Sequence, residues 1–410
     1  MRPIRETLPI DEARALVFEA LPPVARVERV ALSQAGGRVA AADTVSAVDV
    51  PPFNRAGMDG YAVIAEDTFG AGRYEPRVLR LIETIYTGET PTKTISSGEC
   101  AEIATGAPMP AGANAVVMVE ETERVSDAEP SGGAGNVRVF TPVYPNQHVG
   151  RQGADLKAGD VAVARGTLLT PARVGALAAA GLAEVDVYAK PRVAILSTGN
   201  EVAEPGAPLP PGHIYDINRY TLEAITREHG GDPQARPAAP DTIADLTEAL
   251  TRAAAESDIV VFSGGSSVGE RDLILDVIEA RGEVVFHGIA VKPGKPTVFG
   301  RVDGKPVLGM PGYPTSCLSN AYMLLVPMLR VMAHLPPWTP HIVSLPLARR
   351  VVSTTGRHQF YTVRIRDGQA EPAFKASGDI TSMAAADGYI EIPAQTDVVE
   401  AGEIVDIKLF

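Results

Sequence analysis

Four continuous apolar runs in the second half of the chain constrain its fold more than any other feature. They are RVAILS (192–197), DIVVFS (258–263), EVVFHGIAV (283–291) and PVLGM (306–310). Each ends in a loop rich in Gly or Pro. Between them lie stretches of helical spacing, NRYTLEAITREH (218–229), DTIADLTEALTRAAA (241–255) and DLILDVIEARG (272–282), and a further helix is expected over 313–335. Strands that are apolar on both faces and alternate with helices predict a parallel or mostly parallel α/β sheet. In such sheets ligands sit beyond the carboxyl ends of the strands. The chemistry is therefore expected in LSTGNEV, SGGSSVGERD, KPGKPT and PGYPTSC.

The rest of the chain reads differently. Residues 10–21 have helical spacing, with Asp11 near the start. Short extended stretches separated by turn residues then predict an all-β module over about 47–155. The 39 Gly and 34 Pro follow no collagen-like period, so they point to many tight loops. DAEPSGGAGN (127–136) reads as a hairpin tip or flexible loop, and TLLTPARVGALAAAGLAEV (167–185) as a helix returning to an earlier module. Pro336 and Pro337 break the chain, and 338–410 is β-patterned again. No tandem repeat is present. A length of 410 residues predicts two to four domains of ~150 residues. The fold class is α/β plus β, multi-domain.

A formal net charge of −13 excludes a generic nucleic-acid binder and a protein that docks on anionic lipid. A small anion can still be held by a local basic pocket. Cys100 and Cys317 form no CxxC motif and no Cys/His cluster, which argues against structural zinc and for a reducing compartment. The start MRPIRETLPIDEARAL carries acids where a signal peptide has its apolar stretch. AYMLLVPMLRVM (321–332) is too short to span a bilayer and holds Pro327 and Arg330. A soluble cytoplasmic protein with no nucleic-acid or membrane partner is expected.

SGGSSVGERD follows a strand and opens a helix. Its Gly264, Gly265, Ser266 and Gly269 let backbone N–H groups approach an anion, although the spacing is neither G-x-G-x-x-G nor a Walker motif. A plain tight turn is the alternative. In KPGKPT, Pro293 and Pro296 stiffen a loop bearing Lys292 and Lys295, which reads as an anion clamp or as a solvated basic turn. Pro311 and Pro314 around Gly312 make a stiff turn or a helix start. LSTGNEV offers Thr198 and Glu201. Glu201 and Asp272 are carboxylates of the kind Mg²⁺ takes beside phosphate, whereas Asp272 could also serve only the helix N-terminus. Asp241 reads first as a helix N-cap and Asp59, before Gly60, as a turn residue. His358, in GRHQFY, is the histidine beside a candidate anion site.

Taken together, PPFNRAGMDGYAV (51–63), ATGAPMPAGANAVV, GRQGADLKAGD, LSTGNEV, SGGSSVGERD, KPGKPT and MPGYPTSC occur in the order found in the MoeA family. The chain thus resembles the molybdopterin molybdenumtransferases and the corresponding domain of gephyrin over nearly its whole length. The resemblance implies four parts. These are an elongated linking module (1–46 and 156–188), a β-rich insertion (47–155), an α/β molybdopterin-binding domain (189–336) and a C-terminal β-barrel (337–410). It also implies a homodimer whose cleft lies between the α/β domain of one subunit and the insertion of the other.

The implied reaction takes adenylylated molybdopterin and molybdate, requires Mg²⁺, and releases AMP and molybdenum cofactor. The upstream molybdopterin adenylyltransferase is an implied partner. In this reading Lys292 and Lys295 attract molybdate, with Arg357 and Ser377 as further oxyanion contacts. The backbone of 264–269 holds the pterin phosphate or pyrophosphate, and Glu201 and Asp272 position Mg²⁺. Asp59, Thr105, Asp155 and Asp241 match positions the family uses. The chain departs from the pattern at Gly288, where many members have a lysine, at Asn54, where some have a carboxylate, and in ASGDITSM. The alternatives are adenylyl transfer to molybdopterin and a scaffold role.

Overall fold

The computed structural model describes residues 4, 6–125, 135–264 and 273–410. They form two compact units, one of Arg29–Gly36 and Ala40–Asp186, the other of Met1–Glu28, Gly37–Val39 and Val187–Phe410.

The first unit holds a six-stranded sheet. Its strands are β1 (Gly60–Val63), β2 (Arg77–Ile85), β3 (Glu99–Ile103), β4 (Ala115–Met118), β5 (Thr122–Val125) and β6 (Asn136–Val139), in the order β4-β1-β3-β2-β6-β5. Only β2 and β3 run parallel among these pairs. Alternate residues feed two cores. Tyr61, Val63, Leu79 and Leu81 lie in one, and Ala62, Ile85, Ile103 and Val116 in the other. Gly60 is obligatory, because a Cβ there would sit 1.9 Å from the carbonyl oxygen of Val117.

The stretches flanking this sheet run out and back as a nested ladder. Leu32 N donates to Ala183 O (3.0 Å), and Ala40 N to Thr167 O (2.9 Å). Thr44–Val45 pairs with Val161–Val163, and Arg55–Ala56 with Val149–Gly150. The return helix is Pro171–Ala179, shorter than the expected 167–185. Pro171 opens it, and Gly181, at φ 80°, lies just past its end.

The second unit contains the expected α/β sheet. Its strands are β7 (Arg192–Thr198), β8 (Asp232–Ala239), β9 (Ile259–Ser263), β10 (Gly282–His287), β12 (Val298–Val302) and β13 (Lys305–Met310), with the short β11 (Val291–Lys292) outside it. The order is β8-β7-β9-β13-β12-β10, with the first three neighbouring pairs parallel and the last two antiparallel. The apolar run 283–291 is therefore two strands, broken at Gly288 with φ 99°. The sequence reading contains no strand at β8, whose segment DPQARPAA holds two prolines. It pairs with β7 at the sheet edge, where a missing N–H is tolerated.

Helices α1 (Asn218–Glu228), α2 (Ile243–Glu256), α3 (Leu273–Arg281) and α4 (Pro314–Asn320) cover the sheet. Leu246 and Leu250 of α2 and Ile274 and Val277 of α3 pack with Leu196, Val260 and Phe262 on one face. Leu222 of α1, Cys317 of α4 and the N-terminal helix Ile10–Glu19 pack with Ile195, Val261 and Leu308 on the other. The N-terminal helix thus shares the α/β core, a placement its amphipathic pattern does not specify. After α4 the chain makes a π-helical turn, Ala321–Leu325, and resumes as α-helix over Val326–Met332.

The C-terminal strands are β14 (Ile342–Pro346), β15 (His358–Arg366), β16 (Gln369–Pro372), β17 (Gly388–Ile392) and β18 (Ile404–Leu409). They run β16-β15-β17-β18-β14 with antiparallel neighbours, and a bridge of Leu347 to Ala370 closes the ring. The barrel core holds Val363, Ala370, Ile390, Ile392 and Ile407. β11 adds to β15 in parallel, with Lys292 opposite Gln359. Both cysteines are buried and free. Among the described residues no helix is long and apolar enough to cross a membrane.

Candidate active site

A cavity of about 750 Å³ opens at the carboxyl ends of β7, β9 and β13. The sheet supplies its floor. β7 ends in Ser197 and Thr198, 2% and 3% exposed, whose hydroxyl oxygens have no hydrogen-bond partner among the described residues. β9 ends in Gly264, with φ 103°, where a Cβ would lie 2.6 Å from the carbonyl oxygen of Thr198. Only glycine lets the two strand ends approach this closely.

From β13 the chain enters Pro311, Gly312 and Pro314, and Pro314 opens α4 as expected. Asn218, at the start of α1, donates from Nδ2 to Gly312 O (2.9 Å) and leaves Oδ1 buried without a partner among the described residues. Thr315 N donates to Ser377 O (3.1 Å), and Thr315 Oγ1 to Asp379 O (3.1 Å), so the Ser377 loop is pinned to the first turn of α4.

The KPGKPT turn and the barrel supply the cations. Lys292, Lys295 and Arg357 all line the cavity. Lys292 Nζ donates to Thr354 Oγ1 (2.7 Å), and Lys295 Nζ to the carbonyl oxygen of Ile4 (2.9 Å). Pairing of β11 with β15 brings Lys292 beside the strand that begins one residue after Arg357. At Gly288, φ 99°, a Cβ would sit 2.4 Å from Ile4 Cγ2, so the turn as packed here leaves no room for a side chain at this position.

Glu201 lines the same cavity. Asp241 differs from its reading as an N-cap. Thr242 caps α2, its hydroxyl accepting from Asp245 N (3.1 Å), because it is Thr242 whose extended backbone immediately precedes the helix. Asp241 instead turns its carboxyl to the backbone N–H groups of Asn200 and Gly199 and toward Glu201. Burial and the charge of Glu201 raise its carboxyl above the ordinary 3.8, and its Oδ1 is buried without a partner among the described residues. Two carboxylates in repulsion, one with an unpartnered oxygen, fit Mg²⁺, which takes one or two protein carboxylates plus substrate oxygens. No group of three or more His, Cys, Asp or Glu suited to a metal occurs among the described residues.

Gly265, Ser266, Gly269 and Asp272 lie outside the described residues. In the first unit Thr105 N donates to Asp59 Oδ1 (2.6 Å), and hydrogen bonds from Thr105 hold this carboxyl below its ordinary range. The two residues are 46 positions apart and meet because β1 pairs with β3. Asp155 is exposed, with its N–H donating to Val50 O (3.0 Å). The sequence reading does not include Ser197, Asp216, Asn218 or Asn320. Ser197, Asp216 and Asn218 line the cavity, and the polar pair in YDIN directly before a helix was the available signal.

Comparison with known proteins adds the family. The chain matches "MoeA N-terminal region (domain I and II)" over residues 8–181, "Probable molybdopterin binding domain" over 194–331, and "MoeA C-terminal region (domain IV)" over 344–410. The chain belongs to the MoeA family. It is 37% identical to molybdopterin molybdenumtransferase 2 of Mycobacterium tuberculosis, over 91% of this chain and 92% of that protein. It is 33% identical to the molybdopterin molybdenumtransferase of Haemophilus influenzae, over 98% of each. The solved molybdopterin biosynthesis MoeA protein of Pyrococcus horikosii superposes with a TM-score of 0.83 at 40% identity, covering 98% of this chain and 99% of that one. The MoeA fold of this chain is that of the expected α/β domain with β modules.

Proposed function

We propose that this MoeA-family protein inserts molybdenum into adenylylated molybdopterin, using molybdate and Mg²⁺ and releasing AMP and molybdenum cofactor. The observation that carries this reading is one cavity shared by Lys292, Lys295, Arg357 and the strand-end loops of Thr198 and Gly264, in a chain of net charge −13. Its volume is that of a site for a sizeable small molecule. A local cationic wall draws in a dianion that the rest of the molecule repels. Ser377 lies at the same wall and offers the oxyanion a hydroxyl.

The floor takes the other substrate. The free hydroxyls of Ser197 and Thr198 and the backbone at Gly264 suit phosphate or pterin polar groups. Ile214, Ile217 and Phe374 give apolar walls for a flat ring. Glu201 and Asp241 would hold Mg²⁺, which supplies charge screening for the phosphoanhydride when bound. Asp59 and Thr105 form a second polar pair to which this reading assigns a role, as it does to Asp155.

The reading includes a homodimer, checked by mass in solution, and an upstream adenylyltransferase, since the adenylylated substrate needs a source. The test is purified protein with adenylylated molybdopterin, molybdate and Mg²⁺. AMP and active cofactor are the expected products. Absence of both overturns the reading, and ATP-dependent adenylylation of molybdopterin by this chain alone would replace it.

A further inference from the structure

The turn that carries both lysines is held from behind by one amide. Asn320, the last residue of α4, is 0% exposed. Its Nδ2 donates to Gly294 O (2.9 Å) and to Thr297 Oγ1 (2.6 Å). Thr297 Oγ1 in turn donates to Gly294 O (2.9 Å), which closes a three-membered network. The amide orientation is forced, because a carbonyl oxygen can only accept. Asn320 Oδ1 is then left buried with no partner among the described residues. An apolar residue would avoid that penalty, so the amide is accounted for by the bonds its nitrogen makes.

Two further observations point the same way. Gly294 has φ 108°, and a Cβ there would lie 2.3 Å from Asn320 Oδ1 and 2.5 Å from Nδ2. The amide therefore fills the space that a side chain in the turn would need. Directly after Asn320 the helix passes into its π-helical turn. Such turns alter the direction of side chains along a helix and concentrate at functional sites.

We propose that Asn320 is a positioning residue for the oxyanion clamp, fixing Gly294 between Lys292 and Lys295 so that the two ammonium groups keep their spacing. The inference rests on the reading of those lysines as the molybdate site. A brace of this kind acts on one substrate only. It leaves the floor at Thr198 and Gly264, and hence the pterin substrate, untouched.

The test is isothermal titration of the full chain with molybdate, beside steady-state AMP release. Asn320→Ala is expected to raise the molybdate Kd and KM about tenfold, with kcat at saturating molybdate and KM for adenylylated molybdopterin close to wild type. Asn320→Leu, which keeps the size but cannot donate, should behave like the alanine variant. In a Lys292→Ala background Asn320→Ala should add little. Thr297→Val, which removes one hydroxyl, covers the case in which Asn320→Ala does not fold, and it should shift molybdate binding in the same direction. An unchanged molybdate Kd in the folded variants, or equal rises for both substrates, overturns the role of Asn320. A wild-type protein that binds no molybdate overturns the clamp itself.

Discussion

The two ends of the cavity are built in opposite ways. At the cationic end each lysine already has a partner, Lys292 on Thr354 and Lys295 on Ile4. An ammonium has three donors, so each keeps capacity for an oxyanion while its long side chain is held still. At the strand-end floor the hydroxyls of Ser197 and Thr198 and Oδ1 of Asn218 are buried and have no partner among the described residues, and beside it Asp241 is repelled by Glu201. A buried polar atom left without a partner costs about 1–3 kcal/mol. One end is organised before binding, and the other gives up stability that a ligand can restore.

The largest expected effect tests the strained end. Asp241→Asn should lower AMP release by about a hundredfold or more while leaving the melting temperature unchanged or higher. The pH sign follows from the raised carboxyl. The folded chain keeps a proton that the unfolded chain has lost, so stability falls as pH rises from 3.8 toward the raised value. Asn at 241 should remove that slope, as should Mg²⁺. A melting temperature that drops in Asp241→Asn would break the contrast between the two ends.

The next effect belongs to the organised end. Lys292→Ala should raise the molybdate KM by about tenfold or more, with turnover recovered at saturating molybdate. Activity that falls equally at saturating molybdate would show that Lys292 is no clamp. Gly264→Ala places a Cβ 2.6 Å from Thr198 O at φ 103°, and strain of this kind costs about 1–3 kcal/mol in denaturant unfolding. Unaltered stability would mean the strand ends can separate. The smallest effect is Thr354→Val, which frees Lys292 and should weaken molybdate binding only about threefold. Tighter binding would show that Thr354 competes with the anion instead of aiming the lysine.

Much of the site was legible because it sits on backbone signals. Continuous apolar runs located β7, β9 and β13 to within a residue or two, and Gly and Pro loops marked their ends. Lys292, Lys295 and Glu201 followed from residue type in those loops, and the barrel pieces Arg357 and Ser377 from the resemblance alone. What the sequence hid was tertiary. β8 carries prolines that only an edge position permits. Asp241 looked like a cap because its neighbour Thr242 is an equally good one, and the choice rests on which residue takes the extended backbone. The partnerless state of Ser197 and Asn218, and the reach of Asn320 to Gly294, exist only once the strands and α4 are packed.

The most direct measurement is a crystal of this protein soaked with molybdate, AMP and Mg²⁺, with molybdenum located by its anomalous scattering. The peak should lie in the cavity against Lys292, Lys295 and Arg357, and not against the hydroxyls of Ser197 and Thr198. A molybdenum peak on the Thr198 side, or none in the cavity at all, would contradict the division of the site on which this account depends.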